Sequence, residues 1–182
     1  LEFRRVLFRS FNGAPQALIV SPKAEGEHKG AIWIPGYKAV PDARSYDDGQ
    51  ANTHAMAEAG SKLGQWALKL HIAEFSDWYL PAQDELELLY RHLKPTTRAN
   101  YSGGRSGINL VALPPTRPYA PKRPAQTSAL AFQEGGEQAF APDWYWSSTQ
   151  HAENEAFAWC QGFDIGAQIY TSTLSKLRAR AV

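Results

Sequence analysis

The sequence predicts an α+β fold: two helices packed on a twisted, mainly antiparallel sheet, with long loops between them. Three observations predict it. Apolar residues recur at three- and four-residue spacing in two stretches of the first half, the mark of helices with one buried face. From Trp144 to the end, short runs rich in aromatic and small residues alternate with polar or Gly-containing turns, as sequential antiparallel strands do. Between them, residues 95–126 carry half of the prolines yet keep Ile108, Leu110, Val111 and Leu113, too apolar a set for a disordered linker.

A chain of 182 residues fits one domain. Leu1 to Ser10 do not read as part of it. They lack an initiator Met, resemble translated sequencing-adaptor sequence, and are broken by Arg4, Arg5 and Arg9 where a targeting peptide needs an apolar run. They are set aside as non-native, residues 11–182 are taken as the domain, and the chain is expected to be truncated at both ends. Ala17–Val20 and Ala31–Ile34 then read as the arms of an N-terminal hairpin stopped by Pro35-Gly36, followed by a polar loop from Asp42 to Gly49. Ala51 to Leu70 reads as one helix with Ala55, Ala59, Leu63, Trp66 and Leu70 on its apolar stripe. Gly60 and Gly64 weaken it by about 1 kcal/mol each relative to Ala, which implies a close backbone approach.

The second helix is opened by Pro81, carries Asp84, Glu85 and Glu87 where the helix dipole favours negative charge, buries Leu86, Leu89, Tyr90 and Leu93, and ends at Pro95. The Pro-rich stretch after it reads as an ordered loop over the sheet, followed by a short helix at Ser128–Phe132. Trp144–Trp146, Ala156–Phe163, Ala167–Thr171 and Leu177–Val182 read as strands.

A net charge of +1 makes no electrostatic case for nucleic acid or anionic lipid, and no apolar run is long enough to span a membrane. The single cysteine, Cys160, excludes an intrachain disulfide framework. His28, His54, His71, His92 and His151 are scattered without metal-ligand spacing, so no metal and no cofactor is expected. Gly103-Gly104-Arg105-Ser106-Gly107 lacks the Lys-Ser/Thr ending of a phosphate loop. Ser147 or Ser148 with His151 and Asp143 or Asp164 could be arranged as a hydrolase, but no nucleophile elbow is present, and the hydroxyls are expected to bond neighbouring backbone. Lys176, Arg178 and Arg180 alternate with apolar residues and read as a solvated strand face.

The aromatic constellation remains. Trp144, Trp146 and Trp159 are expected to be anchors in the core, with Trp146 and Trp159 structural. Recognition then falls between them: on His151, Glu153, Asn154 and Glu155 in one loop, Cys160, Gly162, Asp164 and Ile165 along the next strand and turn, and Gln168, Ile169, Thr171, Ser172 and Thr173 beyond it. Alternation places Cys160, Gly162 and Asp164 on a free face opposite Trp159, Gln161 and Phe163.

The motif Trp144-Tyr145-Trp146-Ser147-Ser148-Thr149-Gln150, with Ala158-Trp159-Cys160-Gln161-Gly162-Phe163, the closing Lys176–Val182 and the upstream Asp77–Leu86, resembles the Lcl C-terminal domain family over roughly residues 14–182. Within it the match is nearest to phage-type members that look like variable proteins of diversity-generating retroelements. The resemblance implies a C-type-lectin-like fold, related to that of the formylglycine-generating enzymes. It also implies a non-catalytic binding domain whose C-terminal surface varies to recognise a protein or glycan on a cell surface, from a phage virion or as a homo-oligomer. The calcium-dependent sugar mode of animal lectins is not expected, because Ala141-Pro142-Asp143 lacks the amide or acid before the proline. Two alternatives stay open. One is a bacterial adhesion domain holding glycans or sulfated polymers through Arg117, Lys122, Arg123, Lys176, Arg178 and Arg180. The other is an enzyme on the same fold, although the related oxidase chemistry needs two cysteines and fold alone does not carry function.

Overall fold

A computed structural model describes residues 5–11 and 14–182, with side chains from residue 14 onward. Among these residues seven strands and four helices are formed in the order β1 (Arg5–Phe11), β2 (Ala14–Ile19), α1 (Lys23–Gly26), β3 (Glu27–Ala31), α2 (Gly49–Glu58), α3 (Lys62–Ala67), α4 (Gln83–Leu93), β4 (Trp144–Gln150), β5 (Phe157–Gly162), β6 (Gln168–Ser172) and β7 (Leu177–Arg180). Single 3-10 turns lie at Pro41–Ala43 and Leu130–Phe132. The main sheet is five-stranded in the order β3-β7-β4-β5-β6. Its pairs are antiparallel except β4 with β7. This is an α+β architecture with an open, mainly antiparallel sheet.

The expected hairpin of residues 16–35 does not form. β2 pairs with β1, and β3 pairs with β7 from the other end of the chain. Arg5–Phe11 thus supply a strand where no element was expected, while residues 1–4 of the segment set aside lie outside the described residues. The reason is competition for backbone partners. Ser21 donates its N–H to the Ala181 carbonyl, and Trp33 sends its N–H to Thr173 and its indole Nε1 to the Ser147 carbonyl at 2.9 Å. Trp33 and Ile34 are therefore core residues beneath the sheet rather than the return arm of a ladder.

The single helix expected over 51–70 is two. The chain turns at Gly60, whose φ of +100° is costly for any residue with a Cβ, and Ser61 caps α3 by accepting the Gly64 N–H. Gly64 fulfils the close-approach expectation: a Cβ there would lie 3.0 Å from both Ala57 N and Met56 Cβ. The buried stripe of the pair runs through Met56, Leu63 and Ala67.

α4 buries Leu86, Leu89, Tyr90 and Leu93, as its periodicity predicts. Glu85 Oε2 reaches back to the N–H of Ala82 at 2.7 Å and also takes the Gly49 N–H at 3.1 Å, so one carboxylate satisfies orphan donors at the starts of α4 and α2. Lys94 leaves the helix because the following Pro95 disfavours the α region for it. The loop over 95–126 is ordered by two asparagines. Asn100 accepts from Tyr90 and donates to the carbonyls of Ala120 and Pro124, and Asn109 donates to the Asp84 carbonyl and to Glu87.

The sheet is covered on both faces. Trp146, Ala158, Cys160 and Ala179 cluster with Met56, Leu63 and Trp33. The opposite side chains, Tyr145, Phe163 and Val182, cluster with the α4 stripe, Tyr119 and Phe140. The basic alternation on β7 is not a solvated face. Arg180 is fully buried, donating to the Ser21 carbonyl at 2.7 and 3.0 Å and lying 3.5 Å from Glu27, while Arg178 bridges Glu27 and Asp143. Arg180 pins the last strand to Ser21 and to the start of β3, and Arg178 pins it to the start of β3 and to Asp143.

Candidate functional site

The hydroxyls of β4 are turned into the protein. Ser147, Ser148, Thr149 and Gln150 are all buried. Ser147 Oγ donates to the Trp159 carbonyl, Thr149 Oγ1 donates to the Ser45 carbonyl while accepting the Gln83 N–H, and Gln150 ties Val40, Lys38 and Glu155 together. These side chains hold neighbouring segments to the strand; Ser147 bonds backbone as expected, whereas Ser148 Oγ accepts from the Asn52 side chain at 3.4 Å. Cys160 is buried in the core, and burial pushes its thiol up to about 12, so it stays protonated at neutral pH. Among the described residues no group of three or more His, Cys, Asp or Glu is placed to hold a metal ion, and no helix is long and apolar enough to cross a membrane.

The expected recognition residues divide into four sets. Glu153, Asn154 and Glu155 are exposed and His151 is partly so, on a loop closed by the Ala156 N–H donating to Asn154 Oδ1. Thr171 and Ser172 are partly exposed at the same end of the β5–β6 hairpin, since Thr173 N–H reaches the Ala156 carbonyl, and the exposed Ile169 lies opposite Cys160, nearer the turn. Asp164 and Ile165 sit in the turn at the far end, held by Thr96 and Tyr101. Cys160, Gly162, Gln168 and Thr173 are buried and offer no side chain to a ligand. The free face assigned from alternation is therefore inverted at Cys160. Its side packs on α2 and α3, and the Trp159 side is the one that reaches solvent.

On that side the structure assembles a group of which sequence reasoning named His151 for recognition, placed Trp159 in the core and passed over Tyr46, Phe157 and Tyr170. Trp159 and Tyr170 are cross-strand neighbours with rings 5.4 Å apart, edge to face. His151 lies 4.4 Å from Tyr170 and stacks at 6.1 Å on Trp159, Phe157 flanks Tyr170 at 5.5 Å, and Tyr46 lies 5.9 Å from Trp159. Tyr170 is 48% exposed and the other four rings are partly exposed. The band ends at an ion pair: Arg105 lies 4.5 Å over the Tyr46 ring and bonds Asp84 at the start of α4. Burial holds the Asp84 carboxyl above its ordinary range despite the guanidinium against it. Phe157 and Trp159 at two-residue spacing could have been read as one strand face. Tyr46 and Arg105 could not, because they arrive from loops far apart in sequence.

Behind the band the α4 face of the hairpin is polar. Glu87 accepts from Arg91, Asn109 and Tyr119 at 2.8–2.9 Å, and Gln161 donates to Tyr119 at 3.3 Å. Burial raises the Glu87 carboxyl above its ordinary value even so. Gln83 and Gln168 bury their amides without a hydrogen-bond partner, at a cost of about 1–3 kcal/mol for each unsatisfied group. Stability is thus spent beside the aromatic band rather than gained there.

A match to the Lcl C-terminal domain covers residues 27–182, and the chain belongs to this family. No curated protein and no solved structure matches it.

Proposed function

We propose that this Lcl C-terminal domain is a non-catalytic binding module that presents the band Tyr46, His151, Phe157, Trp159 and Tyr170, with the loop Glu153–Glu155, to a protein or glycan ligand on a cell surface. The observation that carries the reading is the band itself: five aromatic rings left partly in water side by side on one face of the β5–β6 hairpin and its neighbouring loops. Partly exposed aromatic rings offer large, rigid contact area at small entropic cost, and exposed apolar groups in a contiguous patch mark interaction surfaces. The finer fold reading, a C-type-lectin-like architecture, and display on a phage virion belong to this proposal. So does variation by a diversity-generating retroelement, which would be confined to Glu153, Asn154, Glu155, Ile169, Thr171 and their exposed neighbours, since Cys160 and Thr173 are core positions. Binding of Trp159→Ala and Tyr170→Ala to bacterial surfaces and a glycan array tests the band. Loss of binding by folded variants supports it, and unchanged binding by both overturns it. A neighbouring reverse transcriptase, with a template repeat differing at adenines across the codons for Glu153 to Ser175, tests the retroelement reading.

A second reading, adhesion to sulfated polymers, has one observation of its own. A cavity of about 430 Å³ is lined by Lys94, Arg98, Lys122 and Gln126 in the Pro-rich loop. Arg180 is buried and Arg178 is engaged by two carboxylates, which leaves the loop cations and the exposed Lys176 to this reading. Heparin retention that is lost with Arg98→Ala and Lys122→Ala but kept with Trp159→Ala would favour it.

A further inference from the structure

The two edges of the main sheet are built differently. β3, at one edge, carries Glu27, His28 and Lys29, and its register against β7 shifts between His28 and Ala31. Charge and irregularity of this kind keep an edge from pairing with another chain. β6, at the other edge, is Gln-Ile-Tyr-Thr-Ser, with no charge, no proline and an unbroken register from Phe157↔Ser172 to Gln161↔Gln168.

The phase of that ladder is set at both ends. Gly162 N–H reaches the Ala167 carbonyl and Thr173 N–H reaches the Ala156 carbonyl, so these are hydrogen-bonded pairs. Alternation then turns the main-chain groups of Ile169 and Thr171 inward to β5 and those of Gln168, Tyr170 and Ser172 outward. The Ser172 carbonyl accepts from Ser175 N–H at 2.8 Å, which closes that end. The N–H and C=O of Tyr170, mid-strand and beside an exposed ring, have no partner among the described residues.

We infer that the outer edge of β6 pairs with β6 of a second copy of this chain, antiparallel about a two-fold axis at Tyr170. The occupant follows from the strand. A two-fold through Tyr170 sets Tyr170 against Tyr170 of the copy as a hydrogen-bonded aromatic pair and Ile169 against Thr171, and leaves Gln168 beside Ser172, whose carbonyl is already engaged by Ser175. No like charges meet, because the strand has none. The ladder is five residues long, so the dimer falls in the weak, concentration-dependent class of interfaces. A two-fold normal to the sheet keeps both Tyr170 rings on one face and joins the two aromatic bands into a single surface, which makes the module bivalent.

Sedimentation velocity on the full chain over a roughly hundredfold concentration range tests this. The expected result is a mass that rises with concentration from 20.2 kDa toward twice that value. Ile169→Lys and Thr171→Glu, each alone, should hold the chain monomeric. An equimolar mixture of the two should recover a mixed dimer, because these positions face each other across the two-fold. Both are on the surface, and an unchanged thermal midpoint shows that each variant folds. A chain that stays monomeric throughout, a dimer that survives both substitutions, or folded variants whose mixture stays monomeric would each overturn the inference.

Discussion

The two faces of the β4–β5 pair are both covered, yet they are made of different material. On one, Trp146, Ala158 and Cys160 meet Met56, Leu63 and Trp33, and the one polar atom of Trp146 is satisfied by the Ala31 carbonyl at 2.8 Å. On the other, Tyr145 and Gln161 face a helix that brings Gln83, Glu87 and Tyr90, and the covering stops short of Trp159 and Tyr170. The dry face gains stability from close packing. The mixed face loses part of that gain to buried carboxylates and amides, and it ends in exposed rings. The contrast teaches that a tryptophan's role is set by what lies across from it, not by its place in a motif.

Trp146→Ala should be the most damaging single change on either face, costing roughly 3–5 kcal/mol as a fully buried Trp with its indole N–H bonded, measured by urea denaturation. If Trp159→Ala costs as much, the two faces are equivalent and the comparison fails. Tyr119→Phe should come next, at about 1–3 kcal/mol. It leaves Glu87 one donor short and takes away the acceptor of Gln161, without opening a cavity.

The mixed face should also carry a pH signature. Burial holds Asp84 and Glu87 above their ordinary values of 3.8 and 4.5. Each carboxyl therefore binds its proton more tightly folded than unfolded. Its contribution to stability is full below the unfolded value and declines as pH rises through the folded one. Glu87→Gln should flatten the fall of the thermal midpoint as pH rises above 4.5. An identical slope in this variant would show that the buried carboxylate is already compensated. The smallest effect belongs to the loop: Glu153→Ala, Asn154→Ala and Glu155→Ala should each change stability by less than about 0.5 kcal/mol while altering ligand choice. Larger losses there would place the loop in the core rather than at the site.

Local pattern was enough where local interactions decide. The stripe of α4, its stop before Pro95, and β4 to β7 within a few residues all follow from side-chain periods and from what proline forbids. It failed wherever the partner is distant. Ala17–Val20 and Ala31–Ile34 look like two arms of one hairpin, but the strand partner of β3 is β7. The helix over 51–70 breaks at Gly60, and Ser61, which starts the second piece, also bonds the Trp33 carbonyl, a residue with no local relation to it.

The recognition residues show the same division. That the C-terminal hairpin and its loops would carry aromatic anchors beside polar, exposed positions was readable from alternation, and Glu153, Asn154, Glu155 and Ile169 lie at the surface accordingly. Period two says that Cys160 and Trp159 point opposite ways, but it is symmetric and cannot say which way is inward. That was decided when α2 and α3 packed on the Cys160 side, while α4 covered only part of the other, leaving Trp159 and Tyr170 at the rim to meet Tyr46 and Arg105 from separate loops. The sequence by itself determined α4 and the strands β4 to β7, because these are specified by neighbours a few residues away. Only the tertiary structure decided which face is core, which edge is open and which side chains meet, because those depend on burial between segments that the chain order keeps apart.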